Sequence, residues 1–429
     1  MNLDVKISPR KLNGVVRAIP SKSQAHRALI CSALADKPTI IECEACSDDI
    51  TATADCLSAL GAKIEREAGV YVVHPLKRDA KNHSATLACG ESGSTFRFML
   101  PIVGALGRKA SFDLKGRLPK RPLSPLYEEL VRHGAELSPQ GAVPFCASGR
   151  IAPGRYSLDA GVSSQFISGL LFALPLLDGD SELQLTGQAE SFPYIELTLA
   201  MLEIFGIKID FKDNVFSIPG RQTYRSSVNA RVEGDWSNAA FWLSAGAITE
   251  EGSITCTGLN FQSRQGDRAI LDILTRFGAQ IKIIESDSMV TVSGGKLRGI
   301  EIDAKDIPDL VPILAVVGSR AEGTTVIRNA QRLRTKESDR LAAVSAVLRA
   351  LGADADETED GLVIHGGKAF KSAQVSSRGD HRIAMSSAIA ATVCEGPVVI
   401  QGAQAVNKSY PGFFDDLRSL GPLVETLKV

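Results

Sequence analysis

The segment Leu57-Ser-Ala-Leu-Gly61-Ala-Lys-Ile64 contains a motif, Leu-x-x-x-Gly-small-x-apolar, that recurs along the whole chain. Its glycine recurs at six positions that are 69 to 74 residues apart. These positions are Gly61, Gly134, Gly206, Gly278, Gly352 and Gly421. A period sustained across 429 residues indicates six copies of one structural unit.

Each repeated glycine stands between two patterns of hydrophobicity. Before Gly206, the apolar residues of 194–205 follow helical spacing, and after it residues 207–211 alternate as a strand does. The sequence therefore predicts that each glycine caps the end of a helix and leads into a strand.

A second helix in each unit is marked by a polar residue followed by a small and apolar run. The polar residues are 71 to 74 positions apart: Ser21, Ser92, Ser163, Asp235, Asp309 and Asp380. The runs that follow, such as 166–174, carry almost no charge, so these helices must be buried nearly all round. Each unit is predicted to contain strands, a buried inner helix and an amphipathic outer helix.

The chemistry of the inner-helix starts divides the chain three plus three. The first three starts carry serine and the last three carry aspartate. We expect two pseudo-threefold domains of similar size, with the boundary between the third and fourth units. Residues 1–19 precede the first unit, so they are either an appendix or strands lent to another unit.

Composition excludes several classes of protein. Lys and Arg total 48 against 49 Asp and Glu, which argues against a general nucleic-acid binder or a polybasic membrane binder. The longest apolar stretch, 167–177, is too short and too interrupted to span a bilayer. The start of the chain lacks a basic segment followed by an apolar run, so we expect a cytoplasmic protein. We also expect a monomer that binds neither nucleic acid nor membranes.

The eight cysteines predict no metal centre. Cys43 and Cys46 have metal-ligand spacing, but no second pair and no nearby histidine accompanies them. Reduced and mostly buried thiols are the better interpretation.

The polar residues at the inner-helix starts have two interpretations. Serine or aspartate before a helix most often caps it, so none of them alone indicates a site. Several helix starts directed at a common centre would instead bind phosphate or carboxylate, because each exposes unpaired N–H groups. Cations accompany these starts: Lys22 and Arg27 flank Ser23, and Lys336 and Arg340 are spaced i,i+4 in what we predict to be one outer helix.

Seven segments together closely resemble the 5-enolpyruvylshikimate-3-phosphate synthase family of enolpyruvyl transferases. In chain order they are Pro20-Ser-Lys22-Ser23-Gln-Ala-His-Arg27, Gly116-Arg-Leu-Pro-Lys-Arg121-Pro, Val162-Ser163-Ser164-Gln165, Ile307-Pro-Asp309, Lys336-Glu337-Ser-Asp-Arg340, Asp380-His-Arg382 and Lys408. The resemblance implies an α/β fold of two inverse α/β domains, each made of three repeated βαβαββ units around buried helices. It implies domains at 20–231 and at 1–19 plus 232–429, with the N-terminal residues pairing in the second domain.

The resemblance also implies a reaction. The enolpyruvyl group of phosphoenolpyruvate would be transferred to the 5-hydroxyl of shikimate 3-phosphate, with release of phosphate through a tetrahedral intermediate and without any metal or organic cofactor. The implied contacts of shikimate 3-phosphate are Lys22, Ser23, Arg27, Ser163, Ser164, Gln165, Ser191, Asp309 and Lys336. The implied contacts of phosphoenolpyruvate are Lys22, Gly93, Arg121, Gln165, Arg340, Arg382 and Lys408.

For catalysis we expect Asp309 to accept the hydroxyl proton, while Glu337 and Lys22 share proton donation and return. We also expect the two domains to close on the ligands, because substrate anions would cancel the repulsion between their cations.

One segment departs from the family pattern, and two alternative functions stay open. Glu91-Ser92-Gly93-Ser94-Thr95 stands where the family commonly has Asn-Ala-Gly-Thr, and we expect the Glu91 carboxylate to turn toward a cation or away from the ligand. The first alternative is the enolpyruvyl transferase acting on UDP-N-acetylglucosamine, which begins with a Lys-Asn pair where this chain has Lys22-Ser23. The second is a non-catalytic anion-binding scaffold, against which the presence of both Asp309 and Glu337 argues.

Overall fold

A computed structural model describes residues 3–44, 46–77, 84–188, 190–226 and 229–428 of the chain. The polypeptide folds into a first unit, residues 22–232, and a second unit, residues 1–21 together with 233–429. These bounds lie within two residues of the domains that the sequence suggested.

Helices alternate between inner and outer positions along the described chain. They are α1 (Lys22–Ala33), α2 (Asp48–Ala59), α3 (Gly93–Ala105), α4 (Leu126–Arg132), α5 (Ser164–Ala173), α6 (Phe192–Ile204), α7 (Trp236–Ile248), α8 (Ile270–Phe277), α9 (Val311–Arg320), α10 (Arg340–Ala350), α11 (His381–Ala391) and α12 (Phe413–Ser419). Across the described ranges, none of the helices is long and apolar enough to cross a membrane.

The described strands form six sheets of four strands each. They are β1 (Leu3–Ser8), β2 (Gly14–Arg17), β3 (Thr39–Glu42), β4 (Lys63–Glu67), β5 (Val70–His74), β6 (Ser84–Gly90), β7 (Lys109–Leu114), β8 (Glu136–Leu137), β9 (Phe145–Ser148), β10 (Arg155–Asp159), β11 (Ser181–Thr186), β12 (Asp210–Lys212), β13 (Val215–Ile218), β14 (Asn229–Arg231), β15 (Ser253–Thr257), β16 (Gln280–Ile284), β17 (Met289–Ser293), β18 (Glu301–Asp303), β19 (Thr324–Arg328), β20 (Asp354–Glu357), β21 (Leu362–His365), β22 (Ala373–Ser376), β23 (Val398–Gln401) and β24 (Leu423–Lys428).

All six sheets share one topology. In β10-β11-β13-β12, for example, the first two strands are parallel and the next two pairings are antiparallel. The first unit repeats this order in β6-β7-β9-β8 and β14-β3-β5-β4, and the second unit repeats it in β2-β15-β17-β16, β18-β19-β21-β20 and β22-β23-β1-β24. The prediction of an α/β fold built from six repeated units is therefore confirmed.

Residues near the start of the chain supply strands to the second unit. Strand β2 pairs in parallel with β15, and β1 lies between β23 and β24 with antiparallel pairing to both. In the first unit, β14 completes the sheet of β3. The sequence left open whether residues 1–19 are an appendix or strands lent to another unit, and the pairing of β1 and β2 shows that they are lent strands.

The six repeated glycines end the outer helices as predicted. All six have positive φ, between 74° at Gly206 and 126° at Gly421. At Gly278 the residue is itself the left-handed cap, and its N–H reaches the carbonyls of Leu274 and Thr275. Only glycine adopts this conformation without cost, which explains its recurrence at this point of every unit.

The inner helices α3 and α5 of the first unit pack closely against each other. In α3 every residue except Ser94 is buried, and in α5 every residue except Gln165 is buried. The two helices are in close contact at Gly169, where a Cβ atom would overlap the carbonyl oxygen of Arg97 and lie 3.2 Å from Pro101 Cγ. This contact brings the N-terminal ends of α3 and α5 together.

We predict that Gly169→Ala destabilises the protein by about 1–3 kcal/mol, because the added methyl group would push α5 away from α3. The free energy of unfolding from denaturant titration measures this change. Gly412→Ala is the matched control, since a Cβ atom at Gly412 meets no other atom within 4 Å. Equal stability of the two variants would contradict the close helix contact.

Candidate active site

The inner-helix starts differ in what their polar side chains do. Ser92, Ser163, Asp235 and Asp380 are N-caps, and each side chain accepts a hydrogen bond from a backbone N–H of its own helix. Asp309 does not cap its helix. A short 3-10 helix, Pro308–Leu310, precedes α9, whose N-cap is Leu310, so the Asp309 carboxylate is available to other partners.

Two arginines hold the Asp309 carboxylate. Arg340 Nη1 donates to Oδ1 at 2.8 Å, and Arg382 Nη2 donates to Oδ2 at 2.8 Å. Arg382 Nη1 also donates to the Asp309 carbonyl oxygen at 3.2 Å. The 3-10 helix that precedes α9 is thereby joined to the starts of α10 and α11.

Arg340 is the centre of this cluster, and it is only 2% exposed. Its Nε donates to Asp380 Oδ2 at 2.8 Å, and its Nη2 donates to Glu337 Oε2 at 2.8 Å. Lys408 Nζ lies 3.6 Å from the other oxygen of Glu337. The second-unit cluster, as we call Asp309, Glu337, Arg340, Asp380, Arg382 and Lys408, contains three cations and three carboxylates.

The cluster keeps Asp309 ionised. Burial acts to raise the pKa of Asp309, but Arg382, Arg340 and Lys336 outweigh burial and hold the pKa well below the ordinary value of an aspartate. Burial likewise disfavours the charge of Arg340, but its three carboxylates raise the Arg340 pKa above its ordinary value. Charged forms are therefore maintained despite the low exposure of the site.

The prediction that Lys336 and Arg340 share one helix is wrong. Residues Gln331–Thr335 form a 3-10 helix, Lys336 has extended backbone with ψ of −158°, and α10 begins only at Arg340. Asp339 is the reason, because its Oδ1 accepts from Ala342 N at 3.1 Å and so caps the helix at that point. Lys336 nevertheless acts electrostatically on Asp309.

In the first unit, Lys22 is the first residue of α1. Its Nζ is 2.8 Å from Oδ2 of Asp49, a buried carboxylate in the first turn of α2. The sequence analysis did not single out Asp49. The signal was present in Ser47-Asp-Asp, a polar helix start resembling those of the inner helices.

Arg27 lies deep beside the start of α1. Its Nη1 donates to the Ser23 carbonyl at 2.6 Å, its Nη2 to the Tyr194 carbonyl at 2.8 Å, and its Nε to Thr198 Oγ1 at 2.8 Å. Burial lowers the pKa of Arg27 to about 10, which leaves the guanidinium charged at neutral pH. The predicted face shared by Ser23 and Arg27 exists, and it is linked through the Ser23 backbone.

The contact between α3 and α5 positions Gln165. Its Nε2 donates to Ser94 Oγ at 2.8 Å, and its Oε1 accepts from Arg97 Nη1 at 2.6 Å. Arg97 Nη2 also donates to the Pro122 carbonyl at 2.9 Å, next to Arg121. Arg97 is a second residue missed by sequence reasoning, because it is embedded in an apolar run and no spacing marked it.

Gly93 permits the approach of Arg121. A Cβ atom on Gly93 would be 2.8 Å from Arg121 Nη1, so a larger residue would displace the guanidinium. The exposed Glu91 side chain packs against Gly116, at the start of the cationic loop that ends at Arg121. The Glu91 side chain therefore lies beside this cationic loop.

The remaining predicted residues of the first unit lie at helix starts. Ser163 Oγ accepts from Gln165 N at 3.3 Å, and Ser164 is the first residue of α5. Ser191 precedes α6 in a left-handed conformation, with φ of 54°, and is only 3% exposed. Within each unit, the sequence-predicted residues thus lie at the N-terminal ends of helices and in the loops beside them.

A protein-family model for EPSP synthase (3-phosphoshikimate 1-carboxyvinyltransferase) matches residues 7–417. The chain belongs to the EPSP synthase family. It is 42% identical over 439 residues to the 3-phosphoshikimate 1-carboxyvinyltransferase of Clostridium kluyveri, with 99% of each chain covered. It is 44% identical over 422 residues to that of Clostridium acetobutylicum, with 97% of each covered. The solved EPSP synthase of Acinetobacter baumannii matches with a TM-score of 0.83 and 26% identity, over 99% of this chain and 100% of the other.

Membership in this family confirms the predicted family, fold class and reaction. The protein is a transferase that moves the enolpyruvyl group of phosphoenolpyruvate to shikimate 3-phosphate, a step of the shikimate pathway.

We predict that Arg340→Ala destabilises this EPSP synthase family member by about 3–5 kcal/mol, because it leaves buried carboxylates without their shared cation. Denaturant unfolding at neutral pH measures the loss. The control is Arg349→Ala, which removes an ion pair with Asp356 in which both side chains are at least half exposed, and which should cost about 0–1 kcal/mol. A small and equal effect in both variants would mean that the cluster does not depend on Arg340.

Proposed function

We propose that the second-unit cluster binds phosphoenolpyruvate and also supplies the base for its transfer to shikimate 3-phosphate. The supporting observation is that one carboxylate, Asp309, is shared by two arginines, Arg340 and Arg382, at the starts of α10 and α11. Such an arrangement offers paired N–H donors to an anion and keeps a carboxylate beside them.

Phosphoenolpyruvate would take over hydrogen bonds that the cluster now makes internally. Its phosphate and carboxylate suit the planar guanidinium groups of Arg340 and Arg382, and Lys408 adds a point charge. From the first unit we assign Arg121, and with it Lys22, Gln165 and the close approach at Gly93. Support comes from the open backbone at Gly93, which lets the Arg121 guanidinium lie against it.

We assign shikimate 3-phosphate mainly to the first unit. Its phosphate would bind at the starts of α1 and α5, where backbone N–H groups and hydroxyls are present. The proposed contacts are Lys22, Ser23, Arg27, Ser163, Ser164, Gln165 and Ser191, joined by Asp309 and Lys336 of the second unit. Arg27 would contribute its positive charge from a buried position, because its three hydrogen bonds already join the start of α1 to α6.

The proposed reaction has two stages. In the addition, the 5-oxygen of shikimate 3-phosphate bonds to C2 of phosphoenolpyruvate, Asp309 accepts the hydroxyl proton, and the methylene carbon receives a proton from Glu337 or Lys22. In the elimination, the C–O bond to phosphate breaks, and a proton leaves the methyl carbon to restore the double bond. Opposite charges hold both groups in place for this exchange: Arg340 holds Glu337, and Asp49 holds Lys22.

Substrate binding would activate Asp309 as a base. Its pKa is now held low by the arginines, which makes the carboxylate a weak proton acceptor. Phosphoenolpyruvate would neutralise those arginines and withdraw some of their hydrogen bonds, so the Asp309 pKa would rise toward the useful range. Asp309 would thus become a stronger base only when phosphoenolpyruvate is bound.

A phosphate-release assay tests the proposed function. Mixing the protein with phosphoenolpyruvate and shikimate 3-phosphate should liberate inorganic phosphate, because the elimination breaks the C–O bond. Replacement of shikimate 3-phosphate by UDP-N-acetylglucosamine should give none. Release with the UDP-sugar alone would favour the first alternative function, and no release with either acceptor would favour an anion-binding scaffold.

Asp309→Asn should lower kcat by about 100-fold or more, because the amide keeps the shape of the side chain but cannot accept the proton. Steady-state phosphate release at saturating concentrations of both substrates measures kcat. Asp356→Asn, at an exposed carboxylate, should leave kcat unchanged. Near-normal turnover in Asp309→Asn would remove Asp309 from the mechanism.

We further propose that the protein acts in the cytoplasm as a monomer on these small substrates. The eight free cysteines, six of them buried, suit a reducing compartment. The formal charge of −1 gives no general attraction to nucleic acid or to anionic membranes.

A further inference from the structure

Two buried hydroxyl groups of the first unit, those of Thr198 and Ser168, meet beside Arg27, and the proposed mechanism gives neither of them a role. Thr198 lies in the second turn of α6, and Ser168 lies in α5; both side chains are fully buried. The Thr198 oxygen accepts from Arg27 Nε at 2.8 Å, and its hydroxyl donates to the Tyr194 carbonyl at 3.1 Å. Ser168 Oγ lies 2.7 Å from the same Thr198 oxygen.

The partners of these hydroxyls indicate which of them donates. If Thr198 donates to the Tyr194 carbonyl, Ser168 donates to Thr198, whose oxygen then accepts two hydrogen bonds and donates one, its full capacity. Among the described residues, the Ser168 hydroxyl has no other hydrogen-bond partner, so the opposite assignment would leave its buried hydrogen unpaired, at a cost. The chain of bonds therefore runs from Ser168 through Thr198 to Tyr194.

Thr198 is one of three acceptors that fix the Arg27 guanidinium. The other two are the carbonyls of Ser23 and Tyr194, and the guanidinium lies over the ring of Phe98, with Cζ 5.3 Å from the ring centroid. A guanidinium carries five N–H groups, and the described residues accept from three of them. One N–H on each terminal nitrogen stays available in a side chain that is only 3% exposed. Such a pair suits two oxygens of one anion.

The same hydroxyls join three helices whose starts carry proposed contacts of shikimate 3-phosphate. Arg27 belongs to α1, Ser168 to α5 and Thr198 to α6. Ser168 follows Ser164 by four residues, so both lie on one face of α5. Ser191 directly precedes α6. The Thr198 hydroxyl therefore links Arg27 to the two helices that carry the other proposed contacts.

We propose that Thr198 is a positioning residue for shikimate 3-phosphate: it acts through Arg27, whose available N–H pair it holds in place, and Ser168 extends this support to α5. The inference rests on the proposed function, in which Arg27 contacts shikimate 3-phosphate. Neither hydroxyl touches the reacting atoms, so their effect should fall on the binding of this substrate and not on the chemical step.

Thr198→Val tests the proposal, because valine keeps the branched shape and removes the acceptor. Arg27 Nε then loses its partner, so the guanidinium turns and no longer offers its N–H pair in one fixed direction. The KM for shikimate 3-phosphate should rise by about fivefold or more, while kcat and the KM for phosphoenolpyruvate should change by less than about twofold. An unchanged KM for shikimate 3-phosphate, or equal rises in both KM values, would overturn the proposal.

Two conservative variants follow the hydroxyl itself. Thr198→Ser keeps the acceptor and should keep the KM for shikimate 3-phosphate within about twofold of wild type. Equal KM values in Thr198→Ser and Thr198→Val would mean that the shape of the side chain matters and its hydroxyl does not. Ser168→Ala should raise this KM less than Thr198→Val does, because Arg27 retains its acceptor. A larger effect of Ser168→Ala would contradict the assignment of Thr198 as the group that acts on Arg27.

Thr392→Val is the matched control for a purely structural loss. The Thr392 side chain is buried at the C-terminal end of α11, and its hydroxyl donates to the Ile389 carbonyl at 2.7 Å. This variant also loses one buried hydroxyl, and it should leave both KM values unchanged. If it raised the KM for shikimate 3-phosphate as much as Thr198→Val does, the effect would come from lost stability, and the proposal would be wrong.

Calorimetry separates this inference from the proposed function. Shikimate 3-phosphate alone is titrated into wild type, Thr198→Val and Thr198→Ser, which gives its Kd without turnover. Weaker binding by Thr198→Val alone supports the inference even if wild type releases no phosphate on adding phosphoenolpyruvate. Turnover by wild type with equal Kd values in all three proteins overturns the inference and leaves the proposed function standing. If shikimate 3-phosphate neither binds to wild type nor reacts, both proposals are wrong.

Discussion

The burial of the inner helices on all sides governs the rest of this structure. Helices such as α3 and α11 have almost no exposed side chains, and their charged residues, such as Arg97 and Arg382, lie toward their N-terminal ends. Most of the polar residues at the inner-helix starts satisfy the backbone N–H groups of their own helix. The candidate site arises at Asp309, whose carboxylate does not cap its own helix. Arginines from neighbouring helices bind this carboxylate instead.

The second unit uses its own carboxylates to stabilise the cations that we propose to bind phosphoenolpyruvate. Arg340 is almost fully buried, and without Asp309, Glu337 and Asp380 its charge would be very costly. This solution keeps the guanidinium groups charged and oriented before any ligand arrives. A ligand that binds these guanidinium groups must replace some of their internal hydrogen bonds, which lowers its net binding free energy. Lys22 and Asp49 repeat the same solution on a smaller scale in the first unit.

The sequence predicted what is periodic and missed what depends on packing. Glycine spacing revealed the six units because the left-handed cap tolerates almost no other residue, and the serine and aspartate positions located the inner-helix starts. The spacing of Lys336 and Arg340 was misleading because the cap at Asp339 starts the helix later than the charges suggested. Asp49 and Arg97 were missed because their partners, Lys22 and Gln165, are distant in sequence. A capping role and a ligand-binding role for Asp309 looked alike until the actual N-cap, Leu310, was located.

The lent strands have a consequence for synthesis on the ribosome. The first unit is continuous and needs only residues up to 232 to form, whereas β1 and β2 emerge before it and pair with strands that emerge after it. Strand β24 lies about 400 residues after β1, so at 5–20 residues per second β1 waits for roughly 20–80 s. During that interval its edges have no native partner, while the first unit can fold beside it. The order of translation thus separates the folding of the two halves in time, although their chain segments are interleaved.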